Sequence, residues 1–129
     1  PSTGYSMAKF GMSLVVLGLA GELRGKVAVN ALWPRTTIAT AAIKNLLGGD
    51  TMMRMSRTPA ILADAAYRIF AKDVSFTGNF LIDDTFLASE GVTDFDQYRA
   101  DPSQPLQPDF FVPDTMPPPQ GVSLGKNNW

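Results

Sequence analysis

Hydrophobic and polar positions divide the first part of the chain into one helix and one strand. Residues 5–23 carry apolar side chains on more than one face, which predicts a helix packed on two sides. Gly25 breaks this helix, because glycine is a poor helix former. Residues 26–32 are β-branched and apolar enough for a short buried strand, and Trp33-Pro34 ends it.

The same pattern continues through the middle of the chain. Residues 36–47 predict a short helix closed by Gly48-Gly49, and Thr58-Pro59 predicts the start of another helix. The inward stripe of that second helix is Ile61, Leu62, Ala65, Ala66, Ile69 and Phe70. Residues 76–82 predict a second strand. Because helices separate the two strands, we expect them to be parallel and part of a larger sheet.

Composition excludes several classes of site. The chain has 129 residues, 45% of them hydrophobic, and a net charge of −1, which predicts a globular unit without the basic excess of a nucleic-acid-binding protein. It contains no Cys and no His, which excludes disulfides, Cys/His zinc sites and Ser-His-Asp triads. Asp83-Asp84 and Asp94-x-Asp96 lack further ligands at calcium-loop spacing, so turn and N-cap roles are favoured and no metal site is predicted.

Charge and proline content change along the chain. Residues 1–82 hold nine basic and four acidic side chains, whereas residues 83–129 hold two and eight. We therefore expect the acidic end to fold back over the basic part. Seven of the ten prolines follow residue 100, which indicates irregular structure there, with Trp129 disordered or in contact with a partner.

The start of the chain carries no signal peptide and no initial Met, which indicates a fragment or processed chain. The longest apolar run, residues 10–20, is shorter than a bilayer requires. We therefore expect a cytoplasmic protein without a transmembrane segment.

Tyr5 and Lys9 lie four residues apart, so a helix would place them on one face. A nearby ammonium favours phenolate and would lower the pKa of the phenol toward neutrality, where it can transfer protons. The same spacing also arises by chance. A surface tyrosine beside a solvated lysine is therefore the alternative.

Three motifs follow one another at spacings that are specific together. They are Tyr5-x-x-x-Lys9, Val29-Asn30-x-Leu32-x-Pro34 and Phe76-Thr77-Gly78-x-x-Leu81-x-Asp83. In this order they resemble the C-terminal half of a short-chain dehydrogenase/reductase over residues 4–84. Trp33-Pro34-Arg35-Thr36 and residues 106–111 indicate a narrower group within that family.

The resemblance implies an α/β fold: residues 1–84 would be the C-terminal half of a Rossmann-type doubly wound parallel sheet. Residues 85–129 would be an acidic, proline-rich and partly irregular extension. It also implies an NAD- or NADP-dependent oxidoreductase that interconverts an alcohol and a ketone or aldehyde. Tyr5 would be the general acid/base, and Lys9 would hold the nicotinamide ribose hydroxyls and keep the phenol proton labile.

Other parts of the family's site are not in this chain, namely its catalytic serine, its glycine-rich phosphate turn and the residue that separates NAD from NADP. The resemblance therefore implies a missing N-terminal half. After Pro34, Arg35 stands where such families usually have glycine, and one extra residue follows. We expect the Ile38 backbone and the Thr36 or Thr40 hydroxyl to contact the nicotinamide, with N-capping as the alternative role of the threonines.

The family further implies a mobile substrate lid that contains Met52, Met53 and Met55, with core filling as the alternative. An apolar small-molecule alcohol or carbonyl compound would be the substrate. The helix over 5–23 would pair across a homodimer or homotetramer. The rival hypothesis is a non-catalytic dimerising or lipid-associated module derived from the same fold.

Overall fold

The computed structural model describes residues 2–129. Its regular elements are α1 (Thr3–Glu22), β1 (Ala31–Trp33), α2 (Gly49–Arg54), α3 (Ala60–Phe70), β2 (Phe80–Ile82) and α4 (Asp83–Ser89). A π-helical stretch, Ile43–Leu47, precedes α2, and a short 3₁₀ turn, Asp96–Tyr98, follows α4. The described part of the chain is therefore an α/β unit with a long irregular C-terminal segment.

The two strands are parallel, as predicted, with Leu32 opposite Leu81. Regular strand structure begins only at Ala31, later than the predicted start at residue 26. Just before β1, side chains contribute to the pairing: the Val29 N–H donates to Thr77 Oγ1 at 2.9 Å, and Asn30 Nδ2 donates to the Phe76 carbonyl at 2.8 Å. Thr77 and Asn30 thus fix the register of the strands that follow.

Helices α3 and α4 enclose the core. Its buried members are Ile38, Ile61, Ala65, Phe86, Leu87, Phe95 and Tyr98. Ile61 and Ala65 confirm the predicted inward stripe of α3, but Phe70 is 84% exposed, so its assignment to the stripe is wrong. Phe70 follows Ile61 by nine residues, which places it on the opposite side of an α-helix.

The predicted helix over 36–47 is wrong in its first residues. Thr36 pairs with Pro108 and Ile38 pairs with Arg57 in isolated bridges, and the Ala39 N–H donates to the Arg57 carbonyl at 2.8 Å. Backbone partners that are distant in sequence hold residues 36–39 extended, and local helix propensity does not overcome them.

Helix α1 begins at Thr3, two residues before the predicted start, and the Tyr5 N–H donates to Ser2 Oγ at 3.2 Å. Ala20 is its one buried residue, and Met7 and Leu14 are about 70% exposed. The expected packing on two sides is therefore not realised within the described residues. A window of 18 residues within α1 has a mean hydropathy of 1.2, so the helix is long and apolar enough to cross a membrane, although core helices of soluble proteins meet the same criterion.

The C-terminal segment folds back onto the rest of the chain, as its charge predicted. The Asp109 N–H donates to the Arg35 carbonyl at 2.8 Å, and Arg35 Nη1 donates to the Met116 carbonyl at 2.7 Å. Phe95 and Tyr98 belong to the same core as Ile61. Residues on both sides of position 84 therefore share one core.

Candidate active site

The first two turns of α1 bring Tyr5 and Lys9 to one face. Lys9 Nζ lies 5.4 Å from the centroid of the Tyr5 ring, which is a cation–π distance. Both side chains line a cavity of about 310 Å³ that Pro34, just beyond the carboxyl end of β1, also lines. In open α/β sheets, ligands bind outside the carboxyl ends of the strands, so this is where a substrate or cofactor site is expected.

The C-terminal segment forms an aromatic wall beside Tyr5, of which Phe111 lines the cavity. The Phe111 ring stacks on the Tyr5 ring at 5.9 Å between centroids, and the Phe110 ring meets it edge-on at 6.1 Å. Trp129 packs on Phe110 at 4.0 Å, and its indole N–H donates to the Pro108 carbonyl at 2.8 Å. Trp129 therefore contacts its own chain, so the expectation that it is disordered is wrong, and its contact with a partner stays a prediction.

The pKa of Tyr5 is shifted in the opposite direction from the one that the sequence predicts. Burial raises the pKa of the Tyr5 phenol above its usual value, and the Asp109 carboxylate raises it further. The expected lowering by Lys9 is therefore wrong for this chain, because an anion stands near the phenol as well as a cation. The sequence analysis uses Asp109 only as part of the segment 106–111 and gives it no role in a site, since it reaches the cavity through the fold of the C-terminal segment.

The pKa of Asp109 is itself perturbed. Burial raises it, while the backbone N–H groups of Phe111 and Phe110 and the Lys9 ammonium oppose that rise. The Phe111 N–H donates to Asp109 Oδ2 at 3.1 Å. The cavity thus holds one phenol, one ammonium and one carboxyl group among mainly apolar side chains.

Among the predicted cofactor contacts, Lys9 and Pro34 meet Tyr5 at the cavity, whereas Thr36, Ile38 and Thr40 do not line it. Thr36 is buried, and its hydroxyl donates to the Thr37 carbonyl at 3.1 Å. Ile38 belongs to the core, and Thr40 is exposed.

The methionines predicted to form a lid lie in α2 and at its end. Met52, Met53 and Met55 are partly buried, and they belong neither to the buried core nor to the cavity at Tyr5. Their role as a substrate lid stays a prediction.

A buried ionic network fixes the segment that follows β1. Arg35 Nε donates to both carboxylate oxygens of Asp84, at 2.7 and 2.9 Å, and Arg57 Nη1 donates to Asp84 Oδ2 at 2.9 Å. Asp83 Oδ1 accepts from the N–H groups of Arg35 and Asp84, at 3.0 and 2.7 Å. The network places Arg35, and with it the adjoining Pro34, relative to the start of α4.

The turn and N-cap roles predicted for Asp83-Asp84 are wrong for Asp84, whose side chain forms ion pairs with two guanidinium groups. A sequence signal was present, because Arg35 at a position that usually holds glycine needs a buried partner of opposite charge. The described residues, 2–129, contain no group of three or more carboxylates that could hold a metal ion.

Known proteins resemble this chain in sequence and in structure. No family model matches the chain. It is 54% identical over 110 residues to hydroxysteroid dehydrogenase-like protein 2 from Danio rerio, and 55% identical over 108 residues to the Homo sapiens protein of that name. These alignments cover 85% and 84% of this chain and 26% of each relative. The chain therefore spans about a quarter of the length of the curated relatives it matches.

Solved structures show the same likeness. A putative dehydrogenase from Xanthomonas campestris superposes with a TM-score of 0.80 at 51% identity, covering 87% of this chain and 41% of that one. A short chain dehydrogenase from Mycobacterium thermoresistibile gives 0.79 at 48% identity, covering 95% and 44%. The likeness inferred from the motifs is confirmed: the chain is related to hydroxysteroid dehydrogenase-like protein 2, and its α/β fold with a parallel sheet is that of short-chain dehydrogenases.

Proposed function

We propose that this chain carries the catalytic pair of an NAD(P)(H)-dependent oxidoreductase that interconverts an alcohol and a ketone or aldehyde. An N-terminal half outside this chain supplies the remainder of the cofactor site. One observation carries the proposal: Tyr5 and Lys9, one helical turn apart, line a single cavity with Pro34 at the carboxyl end of β1.

Tyr5 is the general acid/base of the proposed reaction. Its raised pKa keeps the phenol protonated near neutral pH, and the protonated form donates its proton to a carbonyl oxygen in the reductive direction. In the oxidative direction the phenolate accepts the hydroxyl proton of an alcohol. The aromatic wall of Phe110 and Phe111 packs against the ring and orients it.

The residues present fit a nicotinamide nucleotide. Lys9 offers three N–H donors in the cavity, which suit the vicinal hydroxyls of a ribose, and Pro34 offers an apolar contact beside them. When bound, this cofactor would exchange a hydride with the substrate carbon. The contacts of Thr36, Ile38 and Thr40 with the nicotinamide, and the choice between NAD and NADP, stay predictions.

The remaining lining of the cavity favours an apolar substrate. Met12, Val16, Trp33 and Phe111 contribute side chains with few polar groups, and ligand pockets of this kind bind mainly by apolar contact. The proposed substrate class is a small, largely apolar alcohol or carbonyl compound.

Helix α1 supports a proposal about assembly. Its exposed apolar side chains form a larger surface than is usual on a monomer, so we propose that the N-terminal half and a second copy in a homodimer or homotetramer cover it. The same surface supports the second candidate function, a dimerising or lipid-associated module without redox activity. A cytoplasmic location stays a prediction.

The experiment uses the full-length protein and Lys9→Met, with the exposed Lys26→Met as the matched control. We expect wild type and Lys26→Met to bind NADH or NADPH and to turn over a simple ketone. Lys9→Met should lose both cofactor affinity and turnover. A wild-type protein that binds neither cofactor but binds lipid vesicles would contradict the proposal and favour the module.

A further inference from the structure

Asp109 is the one acidic side chain among the described residues that line the cavity at Tyr5. It arrives there on the C-terminal segment and not on an element of the sheet. Its position is fixed at both ends, since its N–H donates to the Arg35 carbonyl at 2.8 Å and its Oδ2 accepts from the Phe111 N–H at 3.1 Å. Arg35 is in turn held by Asp84, which anchors Asp109 to the buried ionic network.

The charges in the cavity are balanced by this carboxylate. Lys9 is the one cation among the described lining residues, and the apolar side chains of Met12, Val16 and Phe111 line the same cavity. Without Asp109, the cavity would carry a lone ammonium beside the proposed acid/base. Such a site would attract carboxylates and phosphates, because an uncompensated charge attracts ions of the opposite sign.

We infer that Asp109 is a specificity-determining residue, which excludes substrates that carry a carboxylate or phosphate group from the cavity and admits neutral alcohols and carbonyl compounds. This inference rests on the proposed function and names the substrate class of the same site. The physical reason is repulsion between like charges, together with the cost of desolvating a second anion in a mainly apolar cavity.

The ionised form of Asp109 is the form that discriminates. Burial raises the pKa of Asp109, while the backbone N–H groups of Phe111 and Phe110 and the Lys9 ammonium oppose that rise and favour the ionised form. The neighbouring phenol of Tyr5 is uncharged near neutral pH, so Asp109 is the source of negative charge among the described lining residues.

The test measures binding to the full-length protein by titration calorimetry, with octanoate and 1-octanol as probes of matched chain length. The variants are Asp109→Asn, which keeps an oxygen acceptor for the Phe111 N–H, and Asp109→Ser, in case the first does not fold. Asp114→Asn is the control, because Asp114 is an exposed carboxylate of the same segment and does not line this cavity.

We expect wild type to bind octanol and to bind octanoate at least about tenfold more weakly. Asp109→Asn should tighten octanoate binding by about tenfold or more and leave octanol binding within about threefold. Asp114→Asn should change neither affinity.

Equal changes for the two probes, no change for octanoate, or no binding of octanol to wild type would overturn the inference. These readouts require no turnover. A protein that shows the expected selectivity but reduces no ketone contradicts the proposed function and leaves the selectivity of the cavity established.

Discussion

Arg35 Nε lies 2.7 Å from Asp84 Oδ1, and both side chains are almost completely buried. The ion pair joins the residue after Pro34 to the first turn of α4, across 49 positions of sequence. Arg35 also donates to the carbonyl of Met116, so one guanidinium connects the end of β1, the start of α4 and the C-terminal segment. The wall of the cavity at Tyr5 therefore depends on a buried charge that lies outside the cavity.

Replacing Asp84 by Ala should destabilise the fold strongly. The change leaves the guanidinium groups of Arg35 and Arg57 buried without their carboxylate, which costs about 3–5 kcal/mol. The free energy of unfolding of the full-length protein in urea measures this. The control is Asp50→Ala, which removes an exposed ion pair with Lys44 at 3.8 Å, and its stability should stay close to that of wild type.

Asp83 should make the free energy of unfolding decrease as pH rises. A carboxylate whose pKa is lowered by folding has the opposite effect. Burial and the neighbouring Asp84 raise its pKa to about 6, and its Oδ2 has no hydrogen-bond partner among residues 2–129. Because the folded-state pKa exceeds the unfolded value of 3.8, the stabilisation from Asp83 is complete below pH 4 and is lost as pH rises through about 6.

Asp83→Asn imitates the protonated carboxyl and should remove this dependence. The urea midpoints of wild type and Asp83→Asn, measured from pH 4 to pH 7, should be similar at low pH. As pH rises, the midpoint of the variant should increase relative to that of wild type. A variant that is less stable than wild type by the same amount at every pH would show that Asp83 does not titrate in this range.

Trp129 should order the aromatic wall. Replacing it with Ala removes the 4.0 Å contact with Phe110 and the hydrogen bond to the Pro108 carbonyl, so amide exchange at residues 109–111 should accelerate. Lys126→Ala, an exposed change nearby, should leave that exchange as in wild type. Unchanged exchange in the Trp129 variant would show that the wall is held by other contacts.

Much of the framework could be predicted from the sequence, because it depends on local patterns. The approximate length of α1 and the parallel order of the strands follow from periodicity and connection length. The extended residues 36–39 and the position of Asp109 could not be predicted in this way. Their backbone partners, Arg57 and Arg35, are brought together only by the tertiary fold.

The raised pKa of Tyr5 predicts the pH dependence of alcohol oxidation. Since this direction needs the phenolate, kcat/KM should rise with pH toward values above the usual phenol pKa of about 10. Asp109→Asn removes the carboxylate that contributes to the shift, so the rising limb should move to lower pH. Asp114→Asn should leave the pH profile of kcat/KM unchanged. If kcat/KM of Asp109→Asn rises over the same pH range as that of wild type, the contribution of Asp109 to the pKa of Tyr5 is contradicted.

The catalytic role of Tyr5 is the central claim, and the turnover number of Tyr5→Phe in the full-length protein tests it most directly. The substitution deletes one oxygen and its proton while keeping the ring that stacks on Phe111. Tyr67→Phe is the matched control, because Tyr67 is 77% exposed on α3. With any ketone that the wild type reduces, Tyr5→Phe should lose a factor of about 10²–10⁴ in kcat while cofactor affinity changes little, and Tyr67→Phe should match wild type. Wild-type turnover from Tyr5→Phe would remove Tyr5 from the mechanism and contradict the account.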